Sequence, residues 1–379
     1  MKITAVKPYV LHHRLEQAFD SAFSTFADRW ACLVEVTCDD GTVGWGECLG
    51  PALPNAAIVE AMAQLLIGRN PLDIEPIWTH VYGQFRDQGQ RGLTMTAQSG
   101  IDIALWDIAG KHFGVPVHRL LGGAFRNSVP AYATGGFRPV GRDRLLALEE
   151  EILRYREQGF SGVKIKIGYG LKEDVRAIEL TRKLLGPSVA LMIDANHGYD
   201  AIEAVQLGRA VADLGIDWFE EPVVPEQLEA YREVRQRQPI PVAGGETWHG
   251  RSGHMAALSA RAVDVLQPDV CGCGGITEIR KIAAMAEAAG IRLIPHVWGT
   301  GIAVAAALQI LAVLPPVPKR HAPSDPWLEF DQTENPFRMA VLTKPIQHQR
   351  GRVAIPEGPG LGVKVDRQAL AKWALSRDR

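Results

Sequence analysis

The chain is poor in several things that 379 residues could carry, and each shortage excludes a class of protein. Its five cysteines, Cys32, Cys38, Cys48, Cys271 and Cys273, are an odd, sparse set. Such a set does not read as a disulfide framework and fits a reducing cytoplasm. Cys271-Gly272-Cys273 lacks the second pair that a thiolate metal site needs. There is no basic excess: 41 Lys and Arg face 43 Asp and Glu, for a net charge of −2. The electrostatic footprint of phosphate-backbone binding is therefore missing, and no nucleic-acid partner is expected. The longest apolar run, residues 301–314, is broken by Gln309 and stops at Pro315-Pro316. That is short of the roughly 20 residues that cross a bilayer, so no membrane partner is expected. The N-terminal MKITAVKPYVLHHR alternates apolar and polar residues, lacks the apolar stretch of a signal peptide and reads as a strand.

What is present is an ordinary globular composition, 46% hydrophobic and 22% charged, with a length that suggests two domains or one large barrel with additions. Residues 3–11 and 32–47 are extended runs, the second folded back at Asp40-Gly41, a hairpin turn signal. Between them, residues 12–29 show no sustained period, which predicts a long loop with a mobile lid near residues 19–29. From Ala56 to about Phe113 apolar positions recur at helical spacing, completing an α+β cap over residues 1–125.

From about Pro130 short apolar runs alternate with longer helical ones, the signature of a parallel sheet. The expected strand ends fall at Lys166, Asp194, Glu220, Glu246, Asp269 and His296, at successive intervals of 28, 26, 26, 23 and 27 residues. That spacing predicts a (β/α)₈-type barrel over residues 126–335. A doubly wound open sheet is the rival, but it would use charged strand ends only at its switch point, whereas a barrel gathers them all in one mouth. The segment 336–379, with GPGLG between two β-like runs, is expected to return to the cap.

Asp194, Glu220 and Glu246 close three successive strands in MIDAN, WFEEP and AGGE, and a barrel aims them at one point. Three carboxylates together are unfavourable without a cation, and oxygen donors without partner thiols or ligand-spaced histidines point to Mg²⁺ or Mn²⁺ rather than zinc. Any one of them could equally be a helix cap. Lys164 and Lys166 in VKIKIG project to the same face, inside the barrel if the isoleucines pack outward. Their mutual repulsion predicts a Lys166 pKa lowered toward the range of a base, with Lys164 as its charged neighbour or as a structural lysine. Asp269 in QPDV and His296 in IPHVWG fall on neighbouring strands, the orienting half of a base dyad. His197 and His249 follow acidic strand ends closely enough to touch a substrate, while His254 reads as a core histidine, and Trp248 and Trp298 are candidate pocket walls. The GCGG run at 272–275 makes room for a tight βα turn more readily than it cradles phosphate.

The order KIK, DAN, EEP, GGE, QPD, PHVWGTG, together with ALWDIAGKHFGVPVHRLLGG and PEGPGLGV, closely resembles the mandelate racemase subgroup of the enolase superfamily along essentially the whole chain. The resemblance implies a modified TIM barrel, (β/α)₇β, under an α+β capping domain. It implies Mg²⁺ on Asp194, Glu220 and Glu246, holding a substrate carboxylate. Lys166 and the His296-Asp269 dyad would flank the α-carbon, Lys164 would supply positive charge, and Asn196, His197, Trp298 and Glu329 would meet the substrate. Even-numbered homo-oligomers, an octamer or a dimer, are the subgroup's habit.

The stretches DDGTVGWGECLGP, DQGQRGL, WFEEPVVPEQL, AGGETWHGR and QPDVCGCGG are similar to those of lactone-opening members acting on sugar diacids. Ring opening of such a lactone is the first expectation. Dehydration of an open-chain acid sugar and racemisation of a 2-hydroxy acid use the same motif residues and stay open. A Schiff-base aldolase gives the acidic cluster no role, and a non-catalytic barrel would not need every motif position filled.

Overall fold

The computed structural model describes residues 1–316 and 324–375, so the parts of the barrel and tail at 317–323 and 376–379 lie outside the described residues. The chain opens with antiparallel strands β1 (Ile3–Asp20), β2 (Thr25–Cys38) and β3 (Val43–Cys48). The Asp40-Gly41 turn is where the sequence placed it, with Gly41 at φ 84°. Helices α1 (Ala52–Ala63), α2 (Ile74–Phe85), α3 (Leu93–Phe113) and the one-turn α4 (Val117–Leu120) follow. α3 is buried from Met95 to Gly110, with apolar residues on every side and its buried Gln98, Asp102 and Asp107 hydrogen-bonded to partners outside the helix. It lies so close to β3 that a Cβ at Gly44 or Gly46 would overlap the carbonyls of Ala104 and Gly100.

The loop expected over residues 12–29 is instead a long hairpin, because β1 runs on to Asp20 and β2 starts at Thr25, leaving a tip of only four residues. Pairing slips between Arg14 and Phe19, and that irregularity breaks the alternation that would mark a strand. Phe19 and Phe26, paired across the hairpin, stack on each other and meet Phe137 at tilted and edge-on angles.

The second part alternates as expected: β4 (Ser128–Gly135), the short β5 (Arg138–Pro139), α5 (Arg144–Glu157), β6 (Gly162–Lys166), α6 (Leu171–Leu185), β7 (Ala190–Asp194) and α7 (Ala201–Ala210). Then come β8 (Ile216–Glu220), α8 (Leu228–Arg237), β9 (Val242–Gly244), α9 (Gly250–Ser259), β10 (Val265–Leu266), α10 (Ile276–Ala288), β11 (Arg292–Leu293), α11 (Gly301–Val313) and β12 (Leu328–Asp331). The parallel strands run in the order β12-β4-β6-β7-β8-β9-β10-β11. Tyr132, Met192, Trp218, Ala243, Val265 and Ile294, from β4 round to the end of β11, form one buried cluster apart from the main core. Side chains from strands so far apart in that order meet only when the sheet curls on itself, as in a TIM-type barrel. Seven strand–helix pairs and a closing strand make it (β/α)₇β among the described residues.

Beyond β12 come α12 (Pro336–Ala340), β13 (His348–Gln349), β14 (Arg352–Ala354) and α13 (Arg367–Trp373). The tail rejoins the first domain: Val117 N–H donates to Gly360 O at 2.8 Å and Leu375 N–H to Val10 O at 2.9 Å. Arg367 forks onto Glu35.

Candidate active site

Lys166, Asp194 and Glu220 are the last residues of β6, β7 and β8, and strand register sets Lys166 opposite Asp194 and Asp194 opposite Glu220. The next three expected strand ends lie past their strands. Glu246 is two residues beyond β9, and Asp269 and His296 are each three beyond β10 and β11, where they form an isolated parallel bridge with each other. The sheet shortens to two- and three-residue strands here, so loops rather than ladders carry these side chains.

Charge at the mouth is dense and mostly paired. Lys166 Nζ donates to Asp194 Oδ2, and Lys164 Nζ donates to Glu220 and lies 2.8 Å from Glu329 Oε1. Burial alone would depress the Lys164 ammonium, but Glu220 and Glu329 hold it well above the usual lysine range. For Lys166 burial is the strongest pull and Lys164 adds to it, yet Asp194, Glu246 and Glu220 together outweigh them, and the pKa is raised. The expected lowering of Lys166 is thus corrected, because a contacting carboxylate acts more strongly than the second ammonium. Asp194 is held well below the usual carboxylate range, burial being overcome by Lys166 and Lys164. Glu220 is pushed up by burial against the pull of Lys164, with Asp194, Glu329 and Glu246 adding to the rise.

His296 Nδ1 lies 2.7 Å from Asp269 Oδ2, and its Nε2 faces Glu246 Oε2 at 3.4 Å. Burial opposes its protonation, but Glu246, Glu329 and Asp269 together push it up to about 10. Asn196, His197 and Glu221 hold positive φ values of 41°, 65° and 43°. Backbone strain of this kind in non-glycine residues gathers at functional sites.

No group of three acidic, histidine or cysteine side chains among the described residues sits ready around one point. Two of the three expected carboxylates instead carry an ammonium each, the charge a dication would otherwise supply. The donor set still fits a hard cation: three carboxylates from successive strand–helix units, with Glu246 Oε2 buried and without a hydrogen-bond partner.

A cavity of about 480 Å³ opens at this mouth, within the range of small-molecule sites. Lys166, Asn196, His197, Glu246, His296 and Trp298 line it, so six of the expected residues share one space. Lys164, Asp194, Glu220 and Asp269 stand behind that surface, fully or almost fully buried. Glu329 is also set back, with Oε1 on Lys164 and on the hydroxyl of Thr134 and Oε2 accepting from Val297 N–H at 3.0 Å. Trp248 is not a wall: it packs on Tyr231 and donates to Pro225 O. His254 is a core residue hydrogen-bonded to Gly250 O, and His249 does not line the cavity.

Sequence reasoning missed the rest of the lining. The hairpin tip brings Ser21, Phe23, Ser24 and Phe26 over the mouth, Phe137 follows β4, and Thr247 adds a buried hydroxyl with no partner. Trp298 stacks on Phe26 and meets Phe137 edge-on, while Arg29, tied to Asp331, lies 4.6 Å above its ring. The aromatic run FDSAFSTF was the one signal available, and it pointed to a lid without saying that it is sheet.

A family model for the mandelate racemase/muconate lactonizing enzyme N-terminal domain matches residues 5–122, and an enolase C-terminal domain-like model matches residues 147–369. The chain is 58% identical over 375 residues, 99% of each chain, to a D-galactarolactone cycloisomerase of Agrobacterium fabrum. Among solved structures, the 3,6-anhydro-D-galactonate cycloisomerase of Zobellia galactanivorans superposes with a TM-score of 0.90 at 38% identity, covering 99% of this chain and 100% of the other. An enolase from Bradyrhizobium, complexed with magnesium and mandelic acid, gives 0.85 at 33% identity over 99% of both chains.

Proposed function

The chain belongs to the enolase superfamily, with the mandelate racemase/muconate lactonizing enzyme N-terminal domain, and from that premise we propose that it is a Mg²⁺-dependent cycloisomerase opening a sugar diacid lactone. The substrate in this reading is D-galactaro-1,4-lactone and the product a linear 2-keto-3-deoxy hexarate. The observation that carries it is the convergence of Lys166 and the His296–Asp269 dyad on one cavity beside three carboxylates.

Asp194, Glu220 and Glu246 are the residues that would hold the cation, with Mn²⁺ as a substitute. When bound it supplies Lewis-acid stabilisation for the charge that develops on the substrate carboxylate. Lys166 and His296 reach the α-carbon from the two sides of the cavity, one removing its proton as the other handles the second transfer. Asp269 fixes the imidazole tautomer, and Lys164 places a permanent positive charge behind the developing enediolate. Asn196, His197 and Trp298 meet the sugar chain, and Glu329 acts on the same carboxylate end. The enediolate expels the lactone carboxylate from the β-carbon, and the enol ketonises by taking a proton at that carbon. The α-carbon and the enol hydroxyl each give up a proton and the β-carbon takes one, the net proton released being that of the freed carboxylic acid, so no water is gained or lost.

The cap over 1–125, barrel over 126–335 and returning tail over 336–379 are the domain division that goes with this reading. We propose a cytoplasmic location, supported by five free, buried cysteines, and with it a homo-oligomeric assembly, octamer or dimer. No helix of the described residues is long and apolar enough to cross a membrane. An NMR time course in D₂O with Mg²⁺ tests the activity against a panel of aldarates, aldonates and their lactones. Conversion of galactarolactone to a linear keto-deoxy diacid, with free galactarate untouched, is the expected result. An inert lactone beside an open-chain acid sugar that loses water would replace it with a dehydratase, and α-proton exchange alone with a racemase.

A further inference from the structure

The GWGE motif on β3 and the GTG motif after Trp298 have no part in the chemistry above, yet they meet. Glu47 is fully buried at the seam between the two domains. Its Oε1 accepts from Thr300 N–H at 2.9 Å, and its Oε2 accepts from the Thr300 hydroxyl at 2.6 Å and from Ala303 N–H at 3.0 Å. The Thr300 hydroxyl in turn accepts from Ile302 N–H at 3.1 Å. The capping domain therefore supplies the carboxylate that completes the N-terminus of α11, where unsatisfied N–H groups and the helix dipole favour negative charge. A Cβ at Gly299 would lie 2.6 Å from Glu47 Oε1, so glycine there is what lets the carboxylate approach.

The segment so fixed is short and carries two cavity residues. β11 ends at Leu293, and His296 and Trp298 stand between it and Thr300. Glu329 holds the near end at Val297 N–H and Asn335 holds Gly299 O at 3.0 Å. Of these three hydrogen-bonding side chains Glu47 is the one from the capping domain, whose Phe26 and Arg29 also pack on the Trp298 ring, and it holds the far end. We propose that Glu47 is a positioning residue, acting from the capping domain through Thr300 to hold His296 and Trp298 at the reacting carbon. The proposal rests on the reading of His296 as a proton-transfer group.

Asp102 repeats the device one unit earlier. From α3 it accepts Thr277 N–H at 2.9 Å at the start of α10, which follows the Asp269 loop, and a side chain at Gly275 would collide with it. Both members of the dyad thus precede a helix that the cap terminates with a buried carboxylate.

The test uses the full chain with Mg²⁺ and galactarolactone. In Glu47→Gln one oxygen becomes an NH₂ facing N–H donors, so about a 10- to 100-fold fall in kcat is expected, with KM within about threefold. Hydrogen exchange should rise in peptides covering residues 294–303 and stay unchanged in α3. An unchanged kcat overturns the proposal. So does a loss accompanied by deprotection of the whole capping domain, which would mark Glu47 as domain glue. If that variant fails to fold, Thr300→Val removes one of the three donors, and a several-fold fall in kcat at constant KM is expected, an unchanged kcat again overturning it. Should the unaltered chain leave the lactone untouched, the substrate reading falls, while the exchange measurement still decides what Glu47 does.

Discussion

The two sides of the barrel mouth are built by different means. On the β6–β8 side the residues proposed to act end ladders: Lys166, Asp194 and Glu220 are in register with one another, and Lys166 pairs with Asp194 as Lys164 does with Glu220. On the β9–β11 side the strands are two or three residues long, and Glu246, Asp269 and His296 ride on loops, the helices after the last two being tied to the capping domain through Asp102 and Glu47. The first side is rigid because backbone pairing makes it so. The second is held by side-chain hydrogen bonds, from Glu329 and Asn335 as well as from Glu47 and Asp102 of the cap, which under the proposal above makes the cap part of the catalytic geometry as well as a roof.

The sharpest way to probe that contrast is to remove one of the proposed proton-transfer groups from each side. Lys166→Ala and His296→Asn are each expected to cut product formation by on the order of 10³-fold, followed by NMR in D₂O. Either variant staying within tenfold of the parent would leave the two sides chemically unequal. Next in size is removal of the cation: chelation should lower turnover by at least about 100-fold, and added Mg²⁺ or Mn²⁺ should restore it. Calorimetry on Asp194→Asn and Glu246→Gln then asks whether both sides contribute to Mg²⁺ affinity, as the three-carboxylate reading requires.

A smaller effect belongs to the hairpin. Phe23 at its tip is exposed and sits 6.0 Å, ring to ring, from His197. Phe23→Ala should raise KM by about 3- to 10-fold with kcat nearly constant, since it removes uniform binding. The smallest is a pH effect on stability from the cap's own latch. Burial pushes the Asp102 acid up to about 7, with Glu75 and Glu278 adding to it. A raised acid favours the folded state most when protonated, so this contribution is full below the ordinary carboxylate range and is lost as pH rises through about 7. Asp102→Asn cannot ionise, and its Tm should fall by a few degrees less than that of the parent between about pH 5 and about pH 8. Equal falls in both would show that Asp102 stays unprotonated in the folded chain.

Legibility in the sequence followed the same division. Strand ends at Lys166, Asp194 and Glu220 could be read directly, since short apolar runs stopping at a charge recur at the βα period. Glu246, Asp269 and His296 kept that period even though their strands stop early, because the loops preserve the unit length. The hairpin was hidden by its register slip, and the Lys166 pKa by a contact with Asp194 that no spacing along one strand reveals. Glu47 sat in a visible motif, but its partner lies 253 residues away.

What the sequence by itself determined is the alternation of elements, the donor types and their order around the barrel, because periodicity and side-chain chemistry are local properties. Only the tertiary structure decided which carboxylates pair with which ammoniums, that β1 and β2 lean over the mouth, and that a cap carboxylate holds the histidine loop. Those depend on closure of the sheet and on the docking of two domains, which bring distant residues within hydrogen-bond reach and out of water.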